Sequence, residues 1–173
     1  LQGSLSSLQS ALTSLSSAST FNTLNASSSD SSVFTASAAS GAASGSYSVE
    51  VKTLAQAQKL TSSAFSSTTT AIGTGTLTIQ FGTYDSTNNT FTANADKSST
   101  SITINPNSNS LTGIRDAINA ANAGVSASIV NDGTGNRLVI KSNDTGQANS
   151  MKITTADSDG NNTDANGLSQ LAY

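Results

Sequence analysis

The stretch from Leu111 to Ser142, "LTGIRDAINAANAGVSASIVNDGTGNRLVIKS", has the strongest secondary-structure pattern in the chain. Its apolar residues first recur at helical spacing, so it predicts a helix over 111–122 with Ser110 as its N-cap. "VSASIVND" and "RLVIKS" then alternate apolar and polar residues on either side of "GTGN", which predicts two strands joined by a turn. A helix followed by a hairpin indicates a mixed α and β core.

The same alternation continues on both sides of this stretch. "TLTIQFG", with Leu77, Ile79 and Phe81 on one face, predicts a strand, and "NTFTAN", "SITI" and "SMKITT" predict further strands. We therefore expect a β-rich domain over 72–173, with a short helix in its tail. Residues 25–71 predict an earlier β-rich segment, because Tyr47, Val49 and Val51 alternate with polar residues and would face a core. The predicted fold class is α+β, β-rich and mostly antiparallel.

A leucine seam opens the chain. Leu1, Leu5, Leu8, Leu12 and Leu15 follow the alternating 4, 3 spacing of a heptad, which predicts a helix within residues 1–24. The residues between them are mainly Ser, Gln and Thr, so the helix must be stabilised by burial of Leu5, Leu8, Leu12 and Leu15. Either the seam packs on its own domain or it meets a helix outside this chain or in another subunit.

Composition excludes several kinds of active site. The chain has no His, Cys or Trp, so Cys/His zinc sites, Ser-His-Asp triads and disulfides are impossible. Only 10% of the residues are charged, the net charge is −3, and no basic cluster suits nucleic acid. No apolar run is long enough to span a bilayer. We expect no catalytic residues, no metal and no cofactor.

Three local patterns allow competing interpretations. "DSDGNNTD" (157–164) is rich in oxygen ligands, but the EF-hand spacing fails, so we favour a solvated turn over a calcium site. Glycine pairs in "GTGTLTIQFG" and "NDGTGNR" lead into strands, which indicates turns rather than phosphate loops. Arg115 is either a surface charge or an anchor to a neighbouring protein.

Two longer stretches carry a resemblance to a known family. "VEVKTLAQAQKL" (49–60) and "IRDAINAANAGVSASIVNDG" (114–133), in this order, resemble the flagellar filament cap protein, also called flagellar hook-associated protein 2. The resemblance implies a cap at the distal end of the bacterial flagellar filament. It implies export through the flagellar channel without a cleaved signal peptide, and a small ring of identical subunits such as a pentamer. Flagellin and other axial proteins would be its partners.

The family also implies a domain organisation. Residues 1–24 would be the N-terminal helix of a leg domain, whose partner helices lie outside this chain. The two β-rich segments would be head domains, one inserted in the other. The family offers no catalytic or ligand motif to transfer to particular residues.

Other functions compete with a cap. A surface adhesin that binds host glycan or mucin would need exposed aromatic rings, for which Tyr84, Phe91 and Tyr47 are the candidates; we favour Tyr84 because it lies beside a turn, and expect Tyr47 in the core. Another hook-associated axial protein would share the composition. An enzyme has no support, because no constellation of catalytic residues is present.

Overall fold

The computed structural model describes residues 2–16 and 24–173, with the exception of the Leu15 side chain. Contacts between Cα atoms divide the chain into two compact units, residues 1–54 and 55–173. The first unit contains helix α1, Gln2–Leu15. The second contains seven strands, one α-helix and two short 3-10 helices, at Gln147–Asn149 and Gly167–Leu171. The helix at Gly167–Leu171 agrees with the short helix expected in the tail.

Two antiparallel sheets form the second unit. Strands β1 (Lys59–Thr61), β6 (Asn136–Ser142) and β5 (Val125–Asn131) are neighbours in that order. In the other sheet the long strand β2 (Gly75–Asp85) pairs with β3 (Thr90–Ala93), β4 (Thr100–Ile104) and β7 (Ser150–Asp157). Helix α2, Leu111–Ala120, lies between β4 and β5 in the chain and contacts both.

One apolar core joins the sheets and α2. The alternating face of β2 is buried at Leu77, Ile79 and Phe81, and α2 buries Leu111, Ile114 and Ile118 at helical spacing. The other buried core residues are Ile102, Ile104, Ala123, Val125, Ala127, Leu138, Ile140, Met151, Ile153, Leu168 and Leu171. The expected β-rich α+β class is confirmed.

Helix α2 begins and ends through local signals. The Ser110 hydroxyl accepts a hydrogen bond from the Gly113 N–H at 3.2 Å, as an N-cap does. At the other end Asn122 and Gly124 adopt positive φ values of 49° and 71° and turn the chain into β5. The helix therefore stops at Ala120, two residues before the predicted end.

The expected first β-rich segment, 25–71, differs from the structure. None of the described residues from 24 to 58 lies in a strand, so the strand expected around Tyr47, Val49 and Val51 is absent, and the segment contributes only β1 to a sheet. Tyr47 is 80% exposed, so its expected core position is wrong. Alternation supplies an apolar face but no partner, and a strand needs a paired neighbour to satisfy its backbone groups.

The division between units also differs from the expected boundary near residue 71. Residues 59–61 pair with β6, and Phe65 and Ala71 form isolated bridges with Asn136 and Ser110. The buried Ser62 hydroxyl accepts a hydrogen bond from the Leu138 N–H at 2.9 Å. These long-range pairings attach residues 55–71 to the second unit.

Candidate interaction surfaces

Three residues of the leucine seam lie exposed on α1. Leu5, Leu8 and Leu12 are 67%, 63% and 64% exposed. The side chain of the fourth seam residue, Leu15, lies outside the described part of the structure. Three large apolar side chains on one helical face are suited to contact another helix.

Hydroxyls near the seam bond to the helix itself. The Ser7 and Thr13 side chains donate to the carbonyls four residues earlier, Gly3 and Gln9, at 3.0 and 2.8 Å. Such bonds engage the side-chain donors within the helix, but they create no contact with another element. The apolar part of the described α1 surface is therefore provided mainly by Leu5, Leu8 and Leu12, beside exposed Ser, Thr and Gln side chains.

A second surface is an open groove in the β-rich unit, with a volume of about 460 Å³. It brings together Tyr84 and Phe91, two of the three aromatic residues singled out from the sequence, whereas Tyr47 does not line it. The remaining lining residues are Gln58, Leu60, Asn89, Met151, Lys152 and Tyr173. We call this surface the aromatic groove.

Strand pairing holds the rings of the groove. Tyr84 and Phe91 are cross-strand partners in the β2–β3 pair. The Phe91 ring lies over Gly82, where an added Cβ would come within 2.7 Å of the ring and 2.2 Å of the Thr92 carbonyl oxygen. Glycine at this position therefore leaves room for the ring, and the Lys152 ammonium sits 5.6 Å from the ring centroid.

The polar groups of the groove are partly engaged within the protein. The Tyr84 hydroxyl donates to Asn89 Oδ1, and the Met151 N–H donates to Gln58 Oε1. Burial raises the pKa of the Tyr173 hydroxyl above its ordinary value, so this phenol stays neutral at physiological pH. The groove therefore presents aromatic rings, side-chain amides and one cation, Lys152.

The sequence could have revealed only part of this groove. The Asn88-Asn89 turn makes Tyr84 and Phe91 near neighbours, which a hairpin register would show. Lys152 and Tyr173 carry no local signal, because their positions depend on the pairing of β2 with β7 and of Ile153 with Tyr173.

Arg115 lies on α2 and pairs with its neighbour. Its Nε donates to Asp116 Oδ1 at 2.8 Å, and Nη2 lies 2.6 Å from the same oxygen. This arrangement is a surface ion pair within one helix. Arg115 and Tyr84 are not in one site, since Arg115 does not line the aromatic groove.

Acidic loops use their carboxylates to hold backbone turns. In the 157–164 loop, Asp157 Oδ2 accepts from the Ser169 N–H at 3.2 Å and Asp159 Oδ1 from the Asn161 N–H at 2.9 Å. Within the described residues no group of three or more acidic side chains is arranged to hold a metal ion. The favoured interpretation of a turn agrees with these bonds.

Asp132 plays a similar part in the turn between β5 and β6. Its side-chain bonds with Thr134 and Arg137 hold the pKa of its carboxyl well below the ordinary value, and Arg137 Nε lies 2.5 Å from Asp132 Oδ2. The glycine-containing "NDGTGNR" stretch thus forms a strand-to-strand turn, as predicted.

In the described ranges, 2–16 and 24–173, no helix is long and apolar enough to cross a bilayer.

Two protein families match separate parts of the chain. Residues 1–58 match the N-terminus of flagellar hook-associated protein 2, and residues 76–144 match the flagellin hook IN motif. The first match contains the leucine seam, and the second contains all of α2, strands β3 to β6 and nearly all of β2.

Two relatives show the same similarity. Flagellar hook-associated protein 2 of Escherichia coli (strain K12) is 45% identical over 130 residues, which are 73% of this chain and 25% of that protein. The B-type flagellar hook-associated protein 2 of Pseudomonas aeruginosa is 37% identical over 145 residues, 82% of this chain and 27% of that protein. The chain thus spans about a quarter of the length of these relatives.

Solved structures agree in fold. The flagellar cap protein of Escherichia coli aligns over 63% of this chain and 29% of that one, with 44% identity and a TM-score of 0.53. The corresponding protein of Pseudomonas aeruginosa aligns over 70% of this chain and 48% of that one, with 34% identity and a TM-score of 0.53.

Proposed function

Because the chain belongs to the flagellar hook-associated protein 2 family, we propose that it serves as part of a structural cap at the distal end of the bacterial flagellar filament. The cap prevents flagellin from leaking away and assists its folding and insertion. Its partners are flagellin, other axial proteins and further copies of itself in a small ring. The protein acts outside the cell, after export through the flagellar channel without a cleaved signal peptide, and it is not an enzyme.

The observation that carries this proposal is the exposed leucine seam within the segment that matches the family's N-terminus. Leu5, Leu8, Leu12 and Leu15 form the face through which α1 joins a helix of the leg domain. Full burial of a leucine side chain contributes about 1.5–3 kcal/mol. Since Leu5, Leu8 and Leu12 are about two-thirds exposed, covering them would contribute roughly 3–6 kcal/mol.

The test uses cells that lack the gene, complemented with the full-length protein. We expect deletion to give abundant unpolymerised flagellin in the medium and absent or stunted filaments, and wild type to restore filaments. A variant with Leu8→Asp and Leu12→Asp should fail to restore them. The matched control combines Ser6→Asp and Ser10→Asp, which places the same two charges at exposed positions on the polar face of α1. Normal filaments without leaked flagellin in the deletion strain would refute the cap function.

A second candidate function is an adhesin that binds glycan, and the meeting of Tyr84 and Phe91 in the aromatic groove favours it. Sugar rings stack on exposed aromatic faces, and side-chain amides can bond hydroxyls. On a glycan array, Tyr84→Ala and Phe91→Ala should lose any binding that wild type shows. Tyr47→Ala removes an 80% exposed tyrosine outside the groove and should bind like wild type. Absence of wild-type binding would exclude this function.

A further inference from the structure

The three-stranded sheet ends in an edge strand, β5, because the strand order is β1-β6-β5. An edge strand presents unpaired N–H and C=O groups to which a strand of another molecule can add. β5 has seven residues, whereas the opposite edge strand, β1, has three. The longer edge is therefore the one more exposed to such pairing.

Common defences against strand addition are missing from β5. Its sequence, VSASIVN, contains no charged residue and no proline, although both are common on protected edges. Ser126 and Ser128 are exposed, and Val130 is 48% exposed. Side chains of this kind do not repel a second uncharged strand.

One side chain occupies the middle of this edge. The Ala127 N–H donates to Asn119 Oδ1 at 2.8 Å, and Asn119 Nδ2 donates to the Ala127 carbonyl at 2.9 Å. Within an antiparallel ladder, a partner residue exchanges the same two bonds with the residue opposite. The Asn119 amide thus takes the place of a neighbouring strand.

Asn119 is held in this place by α2. The helix is anchored in the core by Leu111, Ile114 and Ile118, all fully buried, and the positive-φ residues Asn122 and Gly124 return the chain along β5. A short polar side chain on the last turn of α2 therefore reaches the edge without displacing the helix.

We propose that Asn119 blocks strand addition at β5 and so prevents edge-to-edge pairing of this sheet with a second copy of the chain. The excluded complex is an antiparallel β5–β5 pair, in which the same edge of each copy faces the other. Self-assembly of the protein is then left to other surfaces.

The test compares Asn119→Ala with wild type and with Asn94→Ala. Asn94 is a matched control because its side chain also bonds a backbone N–H and a backbone carbonyl, those of Asp96 and Ala148, but in a loop. Circular dichroism establishes folding, amide hydrogen exchange reports the Ala127 N–H, and sedimentation velocity over a concentration series reports association.

We expect Asn119→Ala to stay folded, to exchange the Ala127 amide about tenfold faster, and to form dimers as concentration rises. Wild type and Asn94→Ala should show no dimer through this edge. Because the chain has no cysteine, Ser128→Cys added to Asn119→Ala should form a disulfide between copies that it does not form in the wild-type background.

A folded Asn119→Ala without concentration-dependent association would overturn the proposal, as would dimers that the Ser128→Cys variant fails to trap. If Asn119→Ala does not fold, Asn119→Ser is used in its place, because the shorter hydroxyl cannot reach both Ala127 groups. A folded, monomeric Asn119→Ser would then refute the block equally.

Discussion

Truncation of Ile118 to alanine tests whether α2 is the central element of the β-rich unit. Ile118 is 0% exposed and packs in the core that joins both sheets. The substitution removes three carbons, which is about 2.4 kcal/mol of transfer free energy at about 0.8 kcal/mol per methylene. The cavity left behind adds to this, so the free energy of unfolding should fall by about 2–5 kcal/mol.

Urea unfolding followed by circular dichroism measures this loss. With a slope of about 2 kcal/mol per molar urea, the midpoint should fall by roughly 1–2.5 M. Val130→Ala is the control, because Val130 is an apolar strand residue that is 48% exposed, and its truncation should cost less than about 1 kcal/mol. Equal losses from the two variants would refute the assignment of α2 to the core.

Three further results are expected. Removal of residues 1–54 should leave the urea midpoint of the β-rich unit unchanged, because residues 55–173 form a compact unit with its own core; a large drop would contradict this. Ser110→Ala removes the N-cap acceptor of α2 and should cost about 1 kcal/mol in urea unfolding, whereas Ser126→Ala, at an exposed strand position, should have little effect. Bonds from the Asn88 side chain and the Thr87 and Asn88 N–H groups lower the pKa of Asp85 from its ordinary 3.8. The ionised Asp85 carboxylate should therefore stabilise the fold fully above pH 3.8, and this stabilisation should be lost as pH falls through the lower folded-state pKa. An NMR titration of the carboxyl and the pH dependence of Asp85→Asn unfolding would reveal it.

The β-rich unit could be predicted because its local signals agree with its tertiary pairing. The alternation of Leu77, Ile79 and Phe81 marks the buried face of β2, and the spacing of Ile114 and Ile118 marks the buried face of α2. Ser110 caps the helix as predicted. In these elements propensity, periodicity and capping favour the same structure.

Surfaces formed by long-range pairing could not be predicted in the same way. The aromatic groove needs Lys152 beside Phe91, residues that come together only because β2 pairs with both β3 and β7. The sequence gives no indication that Asn119 contacts Ala127, because a polar residue near the end of a helix is typical of any solvated surface. Sequence patterns indicate faces and turns, whereas strand order decides which side chains become neighbours.

The leucine seam of α1 and the alternating residues 47–51 also show that a sequence pattern can indicate an apolar face without indicating its contacts. Both patterns predict a covered apolar face, yet Leu8 and Val49 are 63% and 60% exposed. Both also lie within residues 1–58, the part that matches the N-terminus of flagellar hook-associated protein 2. Periodicity specifies which face of an element is suited to burial but does not specify which surface covers it. We therefore expect these faces to be covered by a surface that the described residues do not supply, such as the leg-domain helix proposed for the seam.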